Sequence, residues 1–140
     1  MACTRSTRLT TLALAVTTVA SLSPLAAQNH APNPYRTVEG IWGQLPEGRS
    51  WGSTSTVYPA ADGINIWVAE RCGANLCTGR DDLDPVMLFS PSGELLKSFG
   101  AGMIVWPHGI HVDASDNVWI ADGRGAEGKG HQVYKFSAEG

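Results

Sequence analysis

The sequence predicts an all-β protein made of repeated, short-stranded units. Three observations predict it. Short apolar or alternating runs are each bounded by Gly, Pro, Asp, Asn or Ser. Beyond the N-terminal region, no window holds an i, i+3, i+4, i+7 apolar stripe long enough for a helix. The runs also recur, with a period of about 50 residues.

The chain opens differently. Arg5 and Arg8 give a basic start, and Leu9 to Leu22 is apolar or small and uncharged, the pattern of a secretory signal helix. Leu25-Ala26-Ala27 is the cleavage box, with Leu where a smaller residue is preferred, so cleavage is expected after Ala27. Thr and Ser interrupt the stretch, which falls short of the roughly 18 continuous apolar residues of a membrane anchor. The expected destination is the periplasm or the exterior, with no anchor after cleavage. Loss of residues 1–27 removes two of the ten basic residues, Arg5 and Arg8, and leaves eight against thirteen acidic ones, a net charge near −5. That balance argues against nucleic acid as a partner, because its recognition needs clustered Lys and Arg. Residues 28–37 read as a flexible leader, polar and proline-rich without periodicity.

Two cysteines remain, Cys72 and Cys77, and an exported protein favours a disulfide between them over free thiols. A zinc ribbon would need a second cysteine pair.

From Val38 the strand-like runs begin: Ile64 to Ala69, Val86 to Ser90, Glu94 to Phe99, Gly109 to Asp113, Asn117 to Ala121 and Gln132 to Phe136. They fall into copies. Ile64-Asn65-Ile66-Trp67-Val68-Ala69-Glu70 matches Ser115-Asp116-Asn117-Val118-Trp119-Ile120-Ala121-Asp122 around a shared Trp, Ala and acid, and Val86 to Gly93 matches Val133 to Gly140. Trp67 and Phe89 are 22 positions apart, against 17 for Trp119 and Phe136, so the first copy has a loop five residues longer, the one holding both cysteines. A period of 40 to 50 with four short strands per unit is the signature of a β-propeller blade. Two copies are clear and a partial one is expected from Val38 to Tyr58, whereas a ring takes about four to eight. The expectation for residues 38–140 is therefore the first two to three blades of a propeller truncated at its C-terminus, inside the turn that follows Phe136.

Two stretches resemble a known family. One runs from Trp106-Pro107-His108-Gly109-Ile110 through Asn117-Val118-Trp119-Ile120-Ala121-Asp122 to His131-Gln132-Val133-Tyr134-Lys135-Phe136; the other runs from Ser55-Thr56-Val57 to Trp67-Val68-Ala69-Glu70-Arg71. Together they are similar to NHL repeats, and more narrowly to two successive blades of peptidyl-α-hydroxyglycine α-amidating lyases. The resemblance implies a six-bladed propeller with zinc and calcium in its channel, cleaving a peptide with a C-terminal hydroxyglycine to the peptide amide and glyoxylate. It further implies that His108 is one of three zinc ligands, that the backbone carbonyls of Val57 and Ile110 help hold calcium, and that Arg71 is a catalytic residue facing the substrate. Zinc would act on substrate oxygens as a Lewis acid, and a tyrosine base would come from a later blade.

The residue chemistry is compatible with those roles. A neutral imidazole is the commonest zinc ligand, and Gly109 beside His108 gives the backbone freedom to aim it. A guanidinium offers a fixed fork of donors suited to a carboxylate. Plainer readings stand beside them: His108 as a hydrogen-bonded loop histidine, and Arg71 as a surface arginine paired with Glu70 or Asp82. His111 is expected to point away from Ile110 in a structural role, and His131 to pack between blades. Asp81, Asp82 and Asp84 lack the spacing of a calcium loop and read as a solvated turn. Trp67 and Trp119 are expected in the core between blades. Gly123 to Lys129 fits G-x-x-x-x-G-K, but no Ser or Thr and no helix follow, so it reads as a glycine-rich turn rather than a phosphate loop.

Since catalytic zinc takes three protein ligands and the resemblance assigns one here, this chain is expected to be inactive alone. Alternative readings are a non-enzymatic NHL propeller that binds protein or carbohydrate, and a lactonase-like calcium-dependent hydrolase. N-terminal sequencing of the exported protein should begin at Gln28; a mature chain that starts at Met1 would contradict the signal.

Overall fold

A computed structural model describes residues 32–37, 39–40 and 42–140. The expected signal, residues 1–27, lies outside the described residues. Thr37–Gly140 is one compact unit. Among the described residues there are seven strands and no helix. The first sheet holds β1 (Thr54–Pro59), β2 (Ile66–Glu70), β3 (Val86–Phe89) and β4 (Leu95–Phe99); the second holds β5 (Pro107–Val112), β6 (Val118–Ala126) and β7 (Lys129–Phe136). Both are antiparallel meanders in sequence order. Thr54–Pro59, expected within a partial earlier copy, is thus the first strand of the first sheet.

Local chemistry explains where the strands stop. Ile64 and Asn65, expected in a strand, belong to a turn because Asp62 Oδ1 accepts from both of their backbone N–H groups, at 2.8 and 2.9 Å. Asp113 does the same work before β6, accepting from the N–H of Ser115 and Asn117 and from the Trp119 indole. The Trp119 indole, with Asn117, holds the Asp113 carboxyl well below the usual carboxylate range. β6 and β7 run further than expected, through most of Gly123 to Lys129. Their turn is only Glu127-Gly128, with φ of 53° and 77°, the left-handed pair that a two-residue hairpin requires.

The registers of the two sheets coincide. Trp67 lies opposite Tyr58 and Leu88, and Trp119 lies opposite His111 and Lys135. Ile66 meets Phe89 as Val118 meets Phe136. Even the irregularities agree, with one register shift between Thr54 and Thr56 and another between Pro107 and Gly109.

Side-chain alternation then decides what is buried. Trp67, Ala69, Val86 and Phe99 on one face of the first sheet form a single core with Val112, Val118, Ile120 and Phe136 on one face of the second. Each large side chain buried this way contributes about 1.5–3 kcal/mol. The first sheet's other face presents Val68, Met87 and Phe89, with Leu45 packed on them and the rings of Trp42 and Trp51 at 5.3 and 5.5 Å from Phe89. The opposite face of the second sheet has no such cover among the described residues: Val133 is 64% exposed and Ala121 is exposed. Trp119, expected in the core like Trp67, is therefore only half-buried. It sits on that open face, with Lys135 Nζ 5.0 Å from its ring.

Two buried carboxylates at matching positions tie each sheet to the segment that enters it. Glu70 Oε2 accepts from the N–H of Gly52 and Gly73 at 3.0 and 2.9 Å, while its Oε1 lies 2.6 Å from Arg49 Nη2. Asp122 accepts from the N–H of Val105 and Trp106 at 2.8 and 2.7 Å. Arg49 and Glu70 are 8% and 0% exposed, so removing either leaves a desolvated charge without its partner. Glu70→Ala is expected to lower stability by about 3–5 kcal/mol in urea titrations; a loss below about 1 kcal/mol would reduce the pair to the rank of a surface ion pair.

Candidate functional site

Arg71 directly follows β2, where the chain enters its long loop. The disulfide between Cys72 and Cys77, with Sγ–Sγ at 2.03 Å, closes the first turn of that loop as expected. The Ala74 N–H donates to the Arg71 carbonyl at 3.0 Å. Cys77 in turn donates its N–H to the Val105 carbonyl at 2.9 Å, which carries the loop across to the segment entering β5. Trp106, the last residue of that segment, is held by its N–H on Asp122. His108 lies at the register shift of β5, and bulges of this kind re-aim a side chain out of the ladder; its side chain is exposed. Ser55 occupies the same place in β1, and its hydroxyl donates to the Pro107 carbonyl at 2.5 Å.

These elements bring Arg71 and His108 to one indole. The His108 ring stacks on Trp106 with centroids 4.5 Å apart and planes 13° from parallel, and the Arg71 guanidinium carbon is 3.9 Å from the Trp106 ring centroid. A cation on an indole face gains about 0.5–2 kcal/mol. Arg71 Nη1 also donates to Asn75 Oδ1 at 2.7 Å. Its Nε reaches toward the Pro107 carbonyl at 3.5 Å. It pairs with neither Glu70 nor Asp82, since Glu70 is already taken by Arg49. Burial lowers the pKa of Arg71, and the nearby charge of Arg124 lowers it further; arginine remains a cation at neutral pH even so.

The other residues singled out from the sequence fall around this centre or away from it. Val57 and Ile110 hold the same register position in β1 and β5, opposite Val68 and Ile120. The side chain of Val57 is 59% exposed, and that of Ile110 packs on the core. His111 bridges the two first strands, its Nδ1 3.1 Å from the Tyr58 hydroxyl, which fits a structural role. His131, expected between blades, is instead exposed and has φ of 53°; it stands opposite the irregularity between Asp122 and Gly125, out of the alternation that would bury it. Asp81 holds Lys129 at 3.0 Å, and Asp84 accepts from the Ser98 hydroxyl and the Ala101 N–H, so two of the three acids have intramolecular partners.

For zinc the donor set is incomplete: no group of three His, Cys, Asp or Glu side chains is gathered among the described residues. His108 supplies one imidazole, and the groups beside it on Trp106 are cations. The surroundings suit an oxyanion better than a dication.

Two members of the cluster were not assigned from the sequence. Trp106 was legible only as the residue before Pro107-His108-Gly109, and Arg124 was hidden in the glycine-rich stretch. Comparison with known proteins adds no constraint, because no family model, no curated protein and no solved structure matches the chain.

The cluster depends on a close approach by β6. A Cβ on Gly123 would lie 2.9 Å from two atoms of the Trp106 ring. Gly123→Ala is thus expected to cost about 1–3 kcal/mol of stability and to move the Trp106 indole N–H resonance. An unchanged resonance and melting curve would show that the ring yields freely.

Proposed function

We propose that residues 38–140 are the opening blades of an exported, NHL-type six-bladed propeller related to the amidating lyases. In this reading, the cluster on Trp106 receives the carboxylate end of a peptidyl-α-hydroxyglycine. One observation carries it: Arg71 and His108, 37 positions apart in the sequence, meet on a single indole beside the first strands of both sheets. The propeller part is supported by the common register and by the faces. The Trp67 face of the first sheet receives the Val118 and Ile120 face of the second, and the Trp119 face of the second lies open in the equivalent place, fit for a further unit.

The reaction splits the carbinolamide: the hydroxyl loses its proton, the C–N bond breaks, its electron pair stays on the amide nitrogen, which is protonated, and glyoxylate leaves. Arg71 serves it by fixing the carboxylate through paired N–H donors. Its stacking on Trp106 and its bond to Asn75 hold the fork in place before substrate arrives, which lowers the ordering cost of binding. The imidazole of His108 is one donor for zinc, and the described residues do not complete the site, so no step is drawn through the metal. A tyrosine base and two further histidines would come from later blades.

The test is zinc content and glyoxylate release, measured on the complete exported protein that includes the later blades, with His108→Ala and Arg71→Gln beside it. About one zinc per chain is expected, lost in His108→Ala, with kcat/KM down at least about tenfold in Arg71→Gln, the equivalent of 1.4 kcal/mol. Wild type without zinc, or His108→Ala with as much, defeats the lyase reading.

A further inference from the structure

The second arginine beside Trp106 is unexplained by anything above. Arg124 lies in β6 beyond Asp122, where Gly123 and Arg124 together stand opposite the single residue His131. That irregularity takes Arg124 out of the ladder, and Gly123, having no side chain, lets the strand lie against the indole. The Arg124 guanidinium carbon is 5.8 Å from the Trp106 ring centroid, and that of Arg71 is 3.9 Å from the same centroid.

Two guanidiniums at one ring repel each other, and after burial that repulsion is the second cause of the lowered pKa of Arg71. Nothing among the described residues neutralises them. Neither arginine belongs to an ion pair. The carboxylates nearest in sequence are committed elsewhere, Glu70 to Arg49 and two backbone N–H groups, Asp122 to the N–H groups of Val105 and Trp106. In a chain whose net charge is −3, two cations at one indole, without a counter-ion among the described residues, are not a background of general basicity. An arrangement that holds like charges together is stable when an anion sits between them, and each arginine brings a planar fork that matches the two oxygens of a carboxylate.

We propose that Arg124 is the second arm of a carboxylate clamp, closing from the β6–β7 hairpin over the anion that Arg71 holds on Trp106. The ligand class is a small organic carboxylate whose two oxygens meet the arginine forks, and N-acetylglycine is the probe for it. The proposal rests on the carboxylate role given to Arg71 above. Free phosphate shares the oxyanion chemistry and is the competing source.

The test follows the Trp106 indole N–H in two-dimensional 1H–15N spectra of the full chain, assigned with Trp106→Phe, during titration with N-acetylglycine, N-acetylglycinamide and inorganic phosphate. Saturable binding of N-acetylglycine is expected, with no response to the neutral amide and weaker binding of phosphate. Arg124→Gln should weaken N-acetylglycine at least about tenfold, or 1.4 kcal/mol. Arg124→Lys should restore only part of that, because a point charge lacks the fork. Arg124 is exposed, so both variants should melt with wild type, and that control separates lost binding from lost folding. Binding unchanged in Arg124→Gln but lost in Arg71→Gln overturns the second arm and leaves the first. The converse result overturns the carboxylate role of Arg71 instead. Equal binding of the acid and the amide overturns the clamp altogether, and phosphate as tight as N-acetylglycine overturns the carboxylate assignment.

Discussion

Everything in this structure depends on the first sheet having two apolar sides that both need cover. Strand alternation places Trp67, Ala69 and Val86 on one side of the first sheet and Val68, Met87 and Phe89 on the other. Neither set tolerates water at its centre, since the cost of exposure scales with apolar area. The second sheet covers the first set, and the segment carrying Trp42, Leu45 and Trp51 lies over the second. Sequence repetition then has a geometric consequence. When two units share a register, the face used by one to meet its neighbour is left open on the neighbour, which is the position of Trp119, Ala121 and Val133.

The buried carboxylates translate that packing into a site. Glu70 and Asp122 end equivalent strand segments and accept the N–H groups of the residues that lead into β1 and β5. A charged acceptor with all its donors in place resists rearrangement, because any donor withdrawn leaves desolvated charge behind. Trp106 is thereby pinned at the entrance of β5. The disulfide-closed loop delivers Arg71 to the same ring, and the bulge delivers His108. The chemistry of the cluster is a by-product of how the sheets are entered, not of any one motif.

Much of this was legible in the residues. The strand positions followed from alternation and turn chemistry, and the Cys72–Cys77 pairing from two cysteines in a chain that reads as exported. The equivalence of Trp67 with Trp119 held to the level of cross-strand partners. Their different burial was not legible, because identical residues at identical register positions differ only in whether another sheet lies against them. Nor was the displacement of His131, since a bulge breaks the alternation that the expectation relied on. Arg71 was singled out, but its partners could not be: Glu70 beside it in sequence belongs to Arg49, and Asn75 and Trp106 became its neighbours through folding.

By itself, the sequence determined the class of structure, the repeat and its register, and the disulfide, because these depend on residues close in the chain or on a pattern repeated along it. Only the tertiary structure decided which faces are covered, that Trp106 is the common support of Arg71, His108 and Arg124, and that two cations there lack a counter-charge among the described residues. Arg71 reaches Trp106 across 35 positions and Arg124 across 18, and the covered faces join two separate sheets. No local propensity encodes them; they exist only once both sheets are stacked.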